Sequence, residues 1–142
     1  MGYNQLIGNI PDSLGNLKRL EILDVQENKM KGTTPESIGQ LSELRKLHLS
    51  WNYWQGIMTK IHFLNLTELY EFSLSSSRNL LVFNVTCDWI PPFSLHFVYI
   101  SDCQLNPTFP AWLTTQKELT QIHLVNTAIS DTIPNWLLNY SS

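Results

Sequence analysis

The side chains that could do chemistry here are few: four histidines, twelve carboxylates and two cysteines among 142 residues. Histidines and carboxylates ligate metals or pass protons only when the chain brings them within a few ångströms of one another. His48 and His123 would have to meet, or Asp24 and Glu71, or Glu27 and Asp102, the last two being carboxylate pairs of the kind that hydrolyse glycosides. No G-x-S-x-G string, phosphate-cradling glycine loop or kinase signature is present. Cys87 and Cys103 lack the C-x-x-C spacing of a zinc or redox site.

What positions these groups is a repeat. Leu20, Leu23, Val25 and Asn28 follow the pattern leucine, two variable, leucine, one variable, aliphatic, two variable, asparagine. It recurs at Leu44, Leu47, Leu49, Asn52, then at Leu69, Phe72, Leu74, Ser77. Leu95, Val98, Ile100, Cys103 and Leu119, Ile122, Leu124, Thr127 complete five matches, stepping by 24, 25, 26 and 24 residues from Leu20. That is the signature of leucine-rich repeats. A coil of this length cannot close a core alone, and its aliphatics are buried only by the coils on either side. Side chains alternate across a strand, so Leu23 and Val25 face in and Asp24 faces out. The residue at the asparagine position (Asn4, Asn28, Asn52, Ser77, Cys103, Thr127) turns inward and satisfies backbone groups that the turn leaves unpaired.

The expected fold is an α/β solenoid, a right-handed leucine-rich-repeat superhelix. A parallel β-sheet lines its concave face, with mostly short strands and 3₁₀ turns on the convex face. Gly8, Gly32 and Gly56 sit four residues after their asparagines, where a bend favours glycine. Pro11, Pro35, Pro110 and Pro134 sit seven after theirs and suit short extended segments. On this frame His48 and His123 are three strands apart, roughly 14 Å, which metal–nitrogen bonds of about 2 Å cannot bridge. His62 falls on the convex side and His96 has no evident partner. The carboxylate pairs are two and three strands apart on an open face, as solvated charges. No metal, no cofactor and no enzyme activity is expected.

Hydrophobic residues make up 43% of the chain and charged residues 15%, with a formal net charge of −3. Neither a nucleic-acid nor an anionic-membrane partner is suggested by so mild a charge. No apolar run approaches a membrane span, and the first residues lack a secretion signal. Asn4 already occupies a ladder position, and the next leading leucine would fall just past Ser142. Residues 1–142 are therefore expected to form one leucine-rich-repeat domain fragment of five to six repeats, with both ends inside a solenoid.

The string leucine-x-glycine-x-isoleucine-proline after the ladder asparagine resembles the plant-specific class of these repeats. Trp54-Gln55-Gly56, His62 to Thr67, Asp88 to Phe93, Phe109 to Leu113 and Ile129-Ser130-Asp131 resemble central repeats of plant receptor-like proteins. The nearest type is the group containing the ethylene-inducing xylanase receptors. The resemblance implies a cell-surface receptor working in defence or development. Its repeats would be extracellular, and its partners a peptide or protein ligand and a co-receptor kinase. The membrane would be met only through segments absent from this chain. Two alternatives share the repeat: the ectodomain of a receptor kinase, and a secreted inhibitor of cell-wall-degrading enzymes.

The outward strand positions are the candidate recognition surface. The ligand-binding residues expected are Arg45, Lys46, His48, Trp51, Tyr70, Glu71, Phe97, Tyr99, Gln121 and His123. Ser50, Ser73, Ser75, Ser76 and Ser101 are also placed outward. The aromatics are of the type enriched in binding hot spots; the same residues could equally tile a solvated sheet. Three sequons make Asn65, Asn84 and Asn139 glycan acceptors on a secretory route. Cys103, in a ladder position, is expected as a buried thiol, and its pairing with Cys87 stays open. Trp89 and Phe93, around two prolines, are expected to fill the extra length of their coil.

Overall fold

The computed structural model describes residues 5–77, 80–86, 88–105, 110–125 and 127. Among them are eight strands: β1 (Ile7–Gly8), β2 (Ile22–Asp24), β3 (Lys29–Gly32), β4 (Lys46–Met58), β5 (Glu71–Ser76), β6 (Leu80–Phe83), β7 (Phe97–Ser101) and β8 (Gln121–Val125). Four 3₁₀ turns alternate with them, and no α-helix occurs among the described residues. β2, β4, β5, β7 and β8 pair in parallel, one per coil. Their register sets Leu23, Leu47, Phe72, Val98 and Ile122 side by side in one inner column. Leu49, Leu74, Ile100 and Leu124 form the next. Leu47, Phe72 and Val98 are buried, whereas Leu23 and Ile122, on the outer coils, are only partly covered. Burial is thus supplied by neighbouring coils, as the repeat demands.

A second parallel sheet runs along the flank. β1 pairs β3, β3 pairs the later half of β4, and β4 pairs β6. β4 is 13 residues long because it serves both sheets, turning between them at Trp51 and Asn52. Trp51 is left-handed at φ 61°, and so are Glu27 at 57° and Asp102 at 54°. Each stands just before an inward-turned residue. The third coil has no such residue before Ser76, and Ser76, not Ser77, pairs with Asn52. Ser77 was therefore misplaced by the repeat alignment: that coil omits the left-handed residue, and the inward position comes one residue sooner. Ser76 is buried and donates to the Trp54 carbonyl, while Ser77 is exposed.

The inward residues tie coil to coil. Asn52 Oδ1 accepts from the Met30 N–H at 3.0 Å, and its Nδ2 donates to the carbonyls of Val25 at 2.9 Å and Ser50 at 3.2 Å. Asn28 does the same with Leu6 N–H and the carbonyls of Val25 and Gln26. Cys103 Sγ donates to Ser101 O at 3.2 Å and carries a free, buried thiol. Burial pushes its pKa up to about 12. Asn4 and Cys87 lie outside the described residues.

Gly8, Gly32 and Gly56 have φ near 90°, a region closed to most side chains. Pro11, Pro35 and Pro110 each precede a 3₁₀ turn; Pro134 lies outside the described residues. At the matching place in the third turn Thr59 caps instead, accepting from Ile61 N–H, while its own N–H donates to His62 Nδ1 at 3.1 Å. His62 is buried and its Nε2 faces the Thr34 carbonyl at 3.0 Å, so it is a structural tie between coils. A Cβ on Gly39 would run into the Ile61 carbonyl, which shows how closely the 3₁₀ ridges stack.

The longer coil is filled by rings. Phe63 lies 5.4–5.9 Å from Phe72, Phe83, Trp89 and Phe93. Trp112 closes the cluster against Phe83, Trp89 and Phe93. Trp89 and Phe93 thus act as packing, as their position beside the prolines suggested. Gln116, whose sequence context gave no warning, clamps this coil to the next: its Oε1 accepts from Leu95 N–H and its Nε2 donates to Phe93 O.

Two outcomes follow from the inward ladder. Asn52→Ala removes the acceptor of the buried Met30 N–H, while the Val25 carbonyl keeps Asn28 Nδ2 and the Ser50 carbonyl keeps the Glu27 N–H. It should cost about 1–3 kcal/mol in denaturant unfolding. Cys103 keeps its proton in the folded state well above the ordinary thiol value of 9.0. Its contribution to stability is intact below pH 9 and is withdrawn as pH climbs toward about 12. The stability difference between wild type and Cys103→Ala should therefore shrink across that window, and iodoacetamide at pH 8 should label Cys103 only in denaturant.

Candidate functional site

Because the inner columns stack, the outer ones stack as well. One outer column runs Ile22, Lys46, Glu71, Phe97, Gln121; the next runs Asp24, His48, Ser73, Tyr99, His123. A third holds Ser75, Ser101 and Val125. Residues distant in sequence become lateral neighbours at roughly 4.8 Å strand spacing.

The first half of this face is a charged cluster. His48 Nε2 lies 3.0 Å from Glu71 Oε2, which makes the imidazole the donor to the carboxylate. Asp24 Oδ2 stands 3.8 Å from His48 Nδ1, beyond hydrogen-bond reach but close enough to act electrostatically. Lys46 Nζ approaches Glu71 Oε2 at 3.9 Å. Arg45 stacks over the Tyr70 ring at 5.1 Å and Lys46 reaches the same ring at 5.9 Å. Tyr70 in turn meets His96 edge-on at 5.8 Å, giving His96 the partner its sequence position did not suggest. Glu71 is thus not an independent solvated charge, since His48 and Lys46 both approach its Oε2, whereas Asp24 would be drawn to His48 only by a protonated ring.

The second half is aromatic. Trp51 meets Tyr99 at 6.3 Å, Tyr99 meets His123 at 6.0 Å, and Phe97 meets His123 at 6.1 Å. Trp51 and Tyr99 stand on the second and fourth coils, so their rings come together over the third. That coil presents only small side chains there, and Ser75 Oγ accepts the Trp51 N–H at 2.7 Å. Hence the outward serines are not surface residues. Ser50, Ser73, Ser75, Ser76 and Ser101 are all buried, the first three and Ser101 as a floor between larger side chains and Ser76 as an inward tie. The Ser50 and Ser73 hydroxyls have no partner among the described residues.

Of the ten residues expected to contact a ligand, nine enter these two clusters; Gln121 lies beside Phe97 in the first column, exposed. His48 and His123 remain three strands apart, and no group of three metal-ligating side chains occurs among the described residues. Asn65 and Asn84 are both exposed and off the strand face. Asn139 lies outside the described residues. The signals that sequence reasoning missed were in the column arithmetic. Counting from Asp24 through His48 to Ser73 shows which side chains abut, but side-chain direction decides which of them bond.

Comparison with known proteins supports the repeat architecture. Residues 2–53 match the family model described as "Leucine rich repeat". A stretch of 85 residues, 60% of the chain, is 42% identical to Receptor-like protein EIX2 of Solanum lycopersicum, and covers 8% of it. Over 131 residues, 92% of the chain, identity to Receptor-like protein 1 of Arabidopsis thaliana is 31%, covering 12% of that protein. The ectodomain of the Arabidopsis receptor kinase HAESA, solved with an IDA peptide hormone ligand, superposes with a TM-score of 0.79 at 30% identity. That superposition covers 99% of this chain and 23% of the other. No helix among the described residues is long and apolar enough to cross a membrane.

A face free to bind should tolerate change better than the column beneath it. Trp51→Ala, on a side chain 46% exposed, should shift unfolding free energy by less than about 1 kcal/mol. Phe72→Ala should cost about 3–5 kcal/mol. Paired urea titrations of the two variants check both.

Proposed function

We propose, because this chain is a run of leucine-rich repeats of the plant receptor-like protein kind, that its strand face recognises an extended peptide or protein segment. The observation that carries this is the continuity of the two clusters across the second to fifth coils, from Arg45 and Lys46 to Tyr99 and His123. Four strands span roughly 15 Å, the length of about five extended residues. The ligand chemistry that fits is a polar or acidic group at Arg45 and Lys46 followed by an apolar side chain over Trp51 and Tyr99. Lys46 and His48 already share Glu71, so they offer a fixed charge pattern rather than a strongly basic pocket. Aromatic rings held by one another lose little freedom on binding and make good anchors.

The peptide hormone seated in the HAESA ectodomain supports the ligand class. In this reading the segment does no chemistry. It works on the extracellular side of the plasma membrane within a longer receptor that signals through a co-receptor kinase. Asn65 and Asn84 carry glycans that leave the strand face clear. The likeness to HAESA equally fits a version in which the kinase belongs to the same chain. Coding sequence downstream of this segment separates the two.

The test uses the chain secreted from a eukaryotic host and panned against a displayed random-peptide library. Enriched peptides should lose at least about tenfold in affinity, 1.4 kcal/mol or more, in a Trp51→Ala/Tyr99→Ala double variant. They should keep their affinity in Asn65→Gln. Peptides that bind the double variant unchanged, or no enrichment at all, would overturn the reading.

A further inference from the structure

The flank sheet carries an apolar strip that the strand-face reading does not use. Ile57 is 55% exposed and Leu80 52%, and Ile57 stands directly beside Val82 in the β4–β6 register. Along β6, Leu81 and Phe83 are buried while Leu80 and Val82 face out. The alternation continues past the strand, with Asn84 exposed, Val85 buried and Thr86 exposed. The Asn84 N–H donates to the Met58 carbonyl at 2.8 Å, so the ladder to β4 extends to this residue. Asn84 therefore stands on the same face as Val82 and Ile57, one step along the sheet, and Asn84-Val85-Thr86 is a sequon.

We propose that Asn84 is N-glycosylated and that its proximal sugars lie over Ile57, Leu80 and Val82, covering the flank sheet. The acceptor step needs a lipid-linked oligosaccharide diphosphate. The Asn84 side-chain nitrogen attacks the anomeric carbon, the carbon–oxygen bond to the diphosphate breaks, and the lipid diphosphate leaves with that electron pair. One amide proton passes to a base, and nothing is oxidised or reduced. The Thr86 hydroxyl that a sequon requires hydrogen-bonds the fully exposed Asp88 carboxylate, a surface contact that is readily exchanged. Pyranose rings present C–H faces that pack on aliphatic side chains. A strip of this kind otherwise invites association with other molecules. The inference rests on the secretory route of the proposed function, and goes beyond it in assigning the glycan a surface to cover.

The experiment compares the secreted full chain with Asn84→Gln, which keeps Thr86 and its Asp88 contact, and with Asn84→Gln/Ile57→Ser/Leu80→Ser. Peptide-level mass spectrometry before and after glycosidase reads occupancy at Asn65 and Asn84. Fluorescence of a hydrophobic dye reads the exposed strip. The expected result is a glycan at Asn84, a several-fold rise in dye fluorescence for Asn84→Gln, and a return to the wild-type level in the triple variant. A glycan at Asn65 with none at Asn84 overturns the inference and leaves the secretory reading standing. An occupied Asn84 whose loss leaves dye binding unchanged overturns the covering role. A chain with no glycan at either site overturns the inference together with the secretory route.

Discussion

Each coil brings a few aliphatic side chains to a core that exists only where coils touch. Leu47 and Leu49 are sealed by Phe72 and Leu74 on one side and by Leu23 and Val25 on the other. Hydrophobic burial of this kind is non-directional, so it would tolerate a slip of register on its own. The hydrogen-bonding residues beneath remove that freedom. Asn52 reaches Met30 on the preceding coil through its oxygen and Val25 through its nitrogen, an arrangement that only one register satisfies. Burial supplies the stabilisation and the inward amides supply the alignment.

The candidate surface is a consequence of that alignment. Strand side chains alternate, so a register that stacks Leu47 on Phe72 also stacks Lys46 on Glu71 and His48 on Ser73. Charges and rings drawn from stretches some 24–26 residues apart then share one face. No loop or hinge is needed to assemble it, which suits a surface whose affinity depends on side chains held ready rather than ordered on contact.

The third coil is where the regular plan is broken, and the breaks serve the face. It drops the left-handed residue that Glu27, Trp51 and Asp102 represent elsewhere, and it offers Ser73 where the flanking coils carry His48 and Tyr99. Trp51 and Tyr99 can then meet across it. Inside, Phe63, Phe83, Trp89 and Trp112 pack ring against ring over the longest repeat. The same coil contributes β6, which gives the flank sheet its exposed aliphatic strip.

The fold was legible in the residues alone because burial between identical coils imposes a spacing, and spacing survives in a string of letters. Leu20, Leu44, Leu69, Leu95 and Leu119 announce it, and the prolines and glycines that follow mark the turns. Most of the candidate surface was legible for the same reason, since outward positions alternate with inward ones. What tertiary structure alone decided was depth and direction. Ser73 and Ser75 look outward in the pattern and are buried because Trp51 and Tyr99 close over them. Glu71 reads as a separate charge and is held by His48 on the neighbouring strand. The inward place in the third coil moved from Ser77 to Ser76 because one backbone angle is missing there. Periodicity records which residues lie on a face; the bulk of their neighbours and the local backbone torsions determine which of them reach solvent and which reach each other.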